Sequence, residues 1–261
     1  MRPHFVLVTS GKRTALTDAR LSRFAGYLEL HGTMKVIHLG MVDSLHDAYL
    51  NTTLQLNLPD SLFLFVHQDA FPLYPSGERA SEAVVADVAR QTPWLVPAFE
   101  QPDRWVSILL NLTGEENTGI VGVAGATSLH PGGAWWNEPH LSGAVVHSPG
   151  DEGVTRLNAY GPFGRVAVLD GLFLAARGSV FERLTSGSRP DGFHFYDMEF
   201  SIKAHLAGFK NWTIPLLLQH ESGGEAIDSA SWSDAAAGFA ERHKDSLPLA
   251  VPFEALQVGR D

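Results

Sequence analysis

Three short polar clusters interrupt the apolar runs of this sequence, and their residue types could do chemistry. They are His67-Gln68-Asp69, Tyr196-Asp197-Met198-Glu199 and His220-Glu221-Ser222. The first follows five apolar residues, 62–66, which read as a fully buried strand that stops abruptly in polar residues. In open α/β sheets, ligands bind at the carboxyl ends of strands. Strand side chains alternate, so His67 and Asp69 are expected on one face and Gln68 on the other. An imidazole and a carboxylate placed together could hold a divalent metal; the plainer reading is a strand followed by a polar turn. A strand-end Asp69 with a distant strand-end His220 is a two-ligand start for Mn²⁺ or Mg²⁺, with phosphate oxygens and water completing the sphere. His220 alone reads as a turn or core histidine. Asp197, near a helix start, can favour that helix end electrostatically without any catalytic task. Glu199 and Lys203 read as a surface pair. Asp170 lies between the apolar runs 166–169 and 172–175. A carboxylate in so apolar a setting needs a partner, and a bulge or turn is its structural explanation.

The composition narrows the partners. The chain has 261 residues, enough for one large domain or two small ones, and 44% of them are hydrophobic, so a sizeable core is expected and disorder is not. A formal net charge of -10 argues against nucleic acid or an anionic membrane surface as a partner, because both reward clustered Lys and Arg. A phosphorylated substrate is compatible with it, since a metal can supply positive charge locally. The absence of cysteine excludes disulfides and thiolate chemistry and leaves the compartment open. No apolar stretch reaches about 18 residues, and the run at 5–8 is too short for a signal-peptide core. A soluble, cytoplasmic protein is expected. Three Asn-x-Thr sites, at Asn51, Asn111 and Asn211, would accept glycans only in a secretory compartment, and read as chance.

The elements that must position the clusters follow from periodicity. Residues 5–8 predict a buried strand closed by Thr9, Ser10 and Gly11; 16–30 predict a helix with Gly32 as its stop; 34–39 a second strand. Asp43 or Ser44 caps a helix over 45–56, and Pro59 and Asp60 turn the chain into the strand at 62–66. This strand-helix alternation points to right-handed βαβ units and a parallel sheet. From 71 to 103, repeated prolines loosen the pattern and only 81–90 reads as helical, so this stretch is expected to be a surface excursion. Residues 105–112 read as a helix and 119–126 as one small-residue strand. Its glycines lack the GxGxxG spacing, which rejects a nicotinamide site. Residues 127–138 read as a loop, and 144–147, 154–157 and 166–175 as strands without long helices between them, hence antiparallel or mixed. A helix over 195–207 capped by Gly208, a strand over 212–218 with Pro215 at an edge or start, and a helix over 230–245 complete the chain. No repeat or linker appears, and one domain is the simplest reading.

Five segments in this order resemble the glycosyltransferase family 2-like group with a GT-A fold, in its glycosyltransferase-like subgroup whose metal motif reads His-x-Asp in place of Asp-x-Asp. They are Phe65-Val66-His67-Gln68-Asp69, the glycine-rich run 119–126, the run 168–175 around Asp170-Gly171, Phe193-His194-Phe195-Tyr196-Asp197, and His220-Glu221-Ser222-Gly223. The resemblance spans roughly 60–224; the first 60 residues agree only in pattern. It implies an α/β fold, a single GT-A-like domain with a Rossmann-like mixed central sheet flanked by helices. It divides the chain into a nucleotide-binding half, about 1–126, and an acceptor-side half, about 127–250. It implies that Asp69 and His220 bind a divalent metal, that His67 stands where many relatives contact the nucleotide ribose, and that Asp170 and Gly171 lie beside the donor sugar. Thr9 and Ser10 would lie near the nucleotide base. Asp197 would remove the proton from the acceptor hydroxyl. Trp135 and Trp136 are candidates to stack on a sugar or simply to pack a loop. The implied activity is hexosyl transfer from a nucleotide-sugar donor to a glycan or other hydroxyl acceptor, with Mn²⁺ or Mg²⁺ and inversion of configuration. A domain that binds nucleotide or glycan without turnover, or a metal-dependent phosphohydrolase, are the alternatives. The missing first Asp implies a weaker or differently held metal.

Overall fold

A computed structural model describes residues 2–73, 82–132, 134–147, 156–187, 190, 192–221 and 230–257. The first half follows the expected alternation: β1 (His4–Thr9), α1 (Ala15–Glu29), β2 (Thr33–His38), α2 (Leu45–Leu56) and β3 (Leu62–Val66). Ser44 caps α2, its side chain accepting from the Asp47 N–H, and Asn57 closes it in the left-handed conformation. β1 pairs in parallel with both β2 and β3. Alternation along β1 and β3 sends Phe5, Leu7, Leu62, Leu64 and Val66 to one face, where α1 supplies Phe24 and Leu28. Val6, Val8, Phe63 and Phe65 go to the other face, against Tyr49 and Leu50 of α2. Each fully buried side chain of this kind contributes roughly 1.5–3 kcal/mol. β3 is therefore apolar on both faces, as its sequence requires.

Next come β4 (Ala70–Pro72), α3 (Glu82–Gln91), α4 (Val96–Glu100) and α5 (Arg104–Gly114). This stretch is not the loose surface excursion expected: Leu95, Ala98 and Phe99 are buried in a core of their own with Ala144, Phe163 and Leu217. The small-residue run 119–126 is two strands, β5 (Thr118–Gly122) and β6 (Ala124–Ala126), in different sheets. A Cβ on Gly125 would lie 2.1 Å from the Val168 carbonyl oxygen, so that crossing admits only glycine. The expected loop over 127–138 holds β7 (Ser128–Leu129). β8 (Leu141–His147), β9 (Arg156–Gly161), β10 (Arg165–Val166), β11 (Val168–Leu169) and β12 (Phe173–Arg177) follow, then α6 (Gly178–Arg183), α7 (Tyr196–Leu206), β13 (Lys210–Thr213), β14 (Leu218–His220), α8 (Ala230–Arg242) and β15 (Leu249–Ala250). The run 166–175 is thus broken twice, at Ala167 and around Asp170, and the run 212–218 around Pro215, because the chain changes sheets at each place.

Among the described residues, a seven-stranded sheet runs β10-β13-β5-β12-β3-β1-β2, and a six-stranded sheet runs β11-β6-β8-β14-β4 with β9 beside β8. β12 is antiparallel to β3 and β5, while β13 is parallel to β5, so the central sheet is mixed and flanked by helices. This is the expected α/β class. No helix among the described residues is long and apolar enough to cross a membrane.

Asn211 shows how the junction is held. It is 1% exposed, so it is no glycan acceptor site. Its Oδ1 accepts from the Ile120 N–H, and its Nδ2 donates to the Ala167 and Ser201 carbonyls. Asn211→Ala is expected to strand these groups and cost on the order of 3 kcal/mol, read as a lower midpoint in urea unfolding with an unchanged slope.

Candidate functional site

The first cluster is assembled by a turn. β3 ends at Val66, and the Ala70 N–H donates to the His67 carbonyl, 3.1 Å away, closing a tight turn over 67–70. His67 and Asp69 are therefore brought to one side by the turn and not by strand alternation. The chain then enters β4, which runs antiparallel to β14 with His220 opposite Ala70; β14 runs parallel to β8 with His220 opposite His147. Sheet register thus delivers His220 to Asp69, with Nε2 to Oδ2 at 3.4 Å. Potential ligand atoms of His67, Asp69 and His220 all lie within 4.8 Å of one another. Donor atoms sharing one first-row cation at about 2.1 Å lie about 3–4 Å apart, so a set gathered within 4.8 Å could hold a divalent metal after a small inward shift.

Two contacts missed in the sequence tie this corner together. Arg20, on α1, forms a two-pronged ion pair with Glu221 and lies 4.4 Å above the Phe71 ring. The Glu221 N–H donates to the Asp69 carbonyl at 3.1 Å. Both loops carrying the cluster are therefore pinned to α1. No local signal marks a pair so distant in sequence. Ser222 and Gly223 lie outside the described residues.

Asp197 sits in the first turn of α7. Phe195, just before the helix, is held at φ +62°, a left-handed conformation unusual for a bulky residue. Its ring stacks on Phe239 at 5.1 Å and meets Trp232 at 5.5 Å, which holds the backbone there. That turn aims Tyr196 and Asp197 inward. Burial, followed by repulsion from Asp170, pushes the Asp197 carboxyl up to about 7, against the opposing hydrogen bonds from backbone N–H groups that include Met198. Asp170 lies in the turn between β11 and β12, where its Oδ1 accepts from the Leu172 N–H at 2.9 Å. Its turn is the expected structural role, and its carboxylate also faces the cavity.

Two adjoining cavities share His67, Phe193, His194 and His220. One, of about 330 Å³, is lined by Asp170, Gly171 and Asp197 together with Trp135, Trp136, Tyr160 and Trp232. Trp135 is buried and edge-on to both Trp136 and Tyr160, whereas Trp136 and Trp232 are partly exposed. The other, of about 340 Å³, is lined by Ser10, Gly11, Met41, Tyr49, Gln68 and Asp69. Ser10 Oγ donates to the Gly40 carbonyl, tying the ends of β1 and β2. Thr9 does not join these cavities; it is buried and lines a separate cleft of about 20 Å³ with Arg20 and Phe71. Gly171 has a packing reason as well: a Cβ there would lie 2.2 Å from Tyr196 Oη.

Glu199 and Lys203 are not a surface pair. Glu199 is fully buried, with His243 at 2.8 Å, Lys203 at 3.3 Å and Arg242 at 3.5 Å. This cluster locks α7 to α8, and so the floor of the cavity to Trp232.

The glycosyltransferase-like family model matches residues 100–221, just under half of the chain. That span holds Asp170, Asp197 and His220 but not His67 or Asp69. No curated protein matches the sequence. Among solved structures, a crystal structure of A197 from STIV is similar, with 11% identity and a TM-score of 0.36, covering 81% of this chain and 81% of that one. A crystal structure of a glycosyltransferase involved in the glycosylation of the major capsid of PBCV-1 is also similar, with 9% identity and a TM-score of 0.36, covering 90% of this chain and 98% of that one.

Proposed function

We propose that this chain, similar over residues 100–221 to the glycosyltransferase-like family, transfers a hexosyl unit from a nucleotide-sugar to an acceptor hydroxyl. The observation that carries the reading is the meeting of two cavities at one three-ligand cluster, with a single high-pKa carboxyl, Asp197, on the aromatic side. In this reading the whole chain acts as one GT-A-like domain. The half before about residue 126 holds the nucleotide, and the half from 127 to 250 holds the acceptor.

The donor occupies the cavity lined by Ser10, Gly11 and Asp69. Asp69 and His220 hold a divalent cation, Mn²⁺ or Mg²⁺, which supplies positive charge for the leaving nucleoside diphosphate. The acceptor occupies the aromatic cavity, where Trp136 and Trp232 offer partly exposed faces to the C–H surface of a sugar ring. Asp197 takes the hydroxyl proton as the acceptor oxygen bonds to the anomeric carbon. The bond from that carbon to the diphosphate oxygen breaks on the opposite face, so configuration inverts. Asp170 keeps a second carboxylate beside Asp197 and raises its proton affinity.

Calorimetric titration of UDP, GDP and CDP, each with and without Mn²⁺, tests the donor half. One nucleotide is expected to bind only with metal, and Asp69→Ala is expected to weaken it by more than the roughly 10–100-fold that a lost outer-shell partner costs. Absence of binding by every nucleotide under both conditions overturns the transferase reading. Product NMR showing retention overturns inversion.

A further inference from the structure

The aromatic cavity holds two carboxylates and no basic side chain to answer them. Among the described residues no Lys or Arg lines it, although Asp170 and Asp197 stand in its wall close enough to repel each other. Each carboxylate accepts from a backbone N–H, Asp170 from Leu172 and Asp197 from Met198, and such dipoles bring no net charge. Carboxylates drawn partly out of water need a counter-charge. The divalent cation of the proposed function does not supply it, because Asp69 and the donor's diphosphate balance that cation. A chain of formal net charge -10 has no surplus to lend. The counter-charge is left to the ligand.

The rest of the wall suits a positive charge as well. An ammonium is attracted to the face of an aromatic ring, and to Trp most strongly. Trp136 and Trp232, both partly exposed, lie 6.5 Å apart with their planes at 48°, which forms an open aromatic corner. Tyr160 stands edge-on to Trp135 at 5.3 Å and feels the charge of Asp170. Phe193, 46% exposed, lines the seam with the donor cavity. Rings alone would also receive the C–H face of a neutral sugar. Rings beside unanswered carboxylates distinguish a cation from a neutral ring.

We propose that the acceptor is a hydroxyl compound bearing a protonated amine, of the amino-sugar class, its ammonium held between Asp170 and the Trp136–Trp232 corner while its hydroxyl faces Asp197. The ammonium keeps its proton and serves as a handle; the hydroxyl remains the attacking group. The same charges exclude uronic acids and phosphorylated sugars, because like charges brought together oppose binding. The role of acceptor rests on the transferase reading, whereas the preference for a cation does not.

The test is calorimetry and saturation-transfer NMR of the whole chain, without nucleotide or metal, against D-glucosamine, N-acetyl-D-glucosamine, D-glucose and D-glucuronate, at a pH where the amine is protonated. Wild type is expected to bind glucosamine at least about tenfold more tightly than glucose or N-acetylglucosamine, as an ion pair with a cation–aromatic contact allows, and glucuronate least of all. Asp170→Asn is expected to bring glucosamine down to the affinity of glucose; its amide can still accept the Leu172 N–H, so the turn persists. Trp136→Ala is expected to weaken both sugars. Circular dichroism confirms that each variant is folded. Equal affinity of wild type for glucosamine and glucose overturns the inference, as does absence of glucosamine binding, or a preference that survives in folded Asp170→Asn. Should that variant not fold, choline decides on wild type: it carries a cation and a hydroxyl without a sugar ring, and failure to displace glucosamine overturns the inference. Glucosamine bound as described while no nucleotide binds would overturn the transferase reading and leave the cation preference intact. Metal-dependent nucleotide binding without any preference for the amine would do the reverse.

Discussion

Asp197→Asn is expected to lower turnover by about 10²–10⁴-fold, the usual worth of a general base, while metal-dependent nucleotide binding persists. The amide keeps the size of the carboxyl and can still accept the Met198 N–H, so the helix start survives. What is lost is a carboxyl whose proton affinity is raised close to neutral by burial and by Asp170. The sign of the pH dependence follows. In the proposed mechanism Asp197 acts as a base only when deprotonated, so kcat/KM of the wild type should rise through about pH 7 and then level off. Stability runs the other way. The folded-state pKa lies above the ordinary 3.8, so this group favours folding most at low pH and loses that contribution as pH rises towards 7. Asp197→Asn should therefore be more stable than wild type above pH 7 while being far less active, a separation that a merely structural residue would not show. Denaturant midpoints and initial rates measured at matched pH check both halves.

Glu199→Ala is expected to cost about 3–5 kcal/mol of stability, because it removes the buried carboxylate on which Lys203, Arg242 and His243 converge. Glu199 has no solvent exposure, and His243, Lys203 and Arg242 all converge on it. Burial alone would raise its pKa, but the hydrogen bond from His243 and the charges of all three partners hold it below the ordinary 4.5. Its contribution is then present above about pH 4.5 and disappears as the solution becomes more acidic. His46 adds to the same acid limb. Burial, with the Lys203 charge, lowers its pKa from 6.5 to about 4, so unfolding gains a proton between those values. Glu199→Ala should lower the urea midpoint at pH 7 and flatten the decline below pH 4.5 that wild type shows. Unchanged stability would mean that the cluster is neutral when buried.

The chain's local features were legible because their causes are local. Leu62–Val66 must be a buried central strand since five adjacent apolar residues leave no face for water. Ser44 marks a helix start through its own side chain, and Gly208 a helix end through its own positive φ of +88°. The candidate residues His67, Asp69, Asp170, Asp197 and His220 stand out by type and by position beside such elements. Strand breaks were less legible. The runs 119–126, 166–175 and 212–218 each read as one strand, because apolar composition records burial and does not record which sheet buries it.

The amino-acid sequence by itself determined the α/β class, the buried β3 strand and the residue types available for chemistry. Only the tertiary structure decided which of those residues meet. His220 reaches Asp69 because β14 lies beside β4 in one register, and His147 joins them from β8. Glu199, read as a surface residue from its spacing to Lys203, is buried because α8 covers it with His243 and Arg242. Tyr196, adjacent to Asp197 in sequence, is held by a carbonyl and an imidazole on two other segments. Helical and strand periodicities follow from backbone geometry over a few residues, whereas a site depends on long-range register and packing, which no short window of sequence contains.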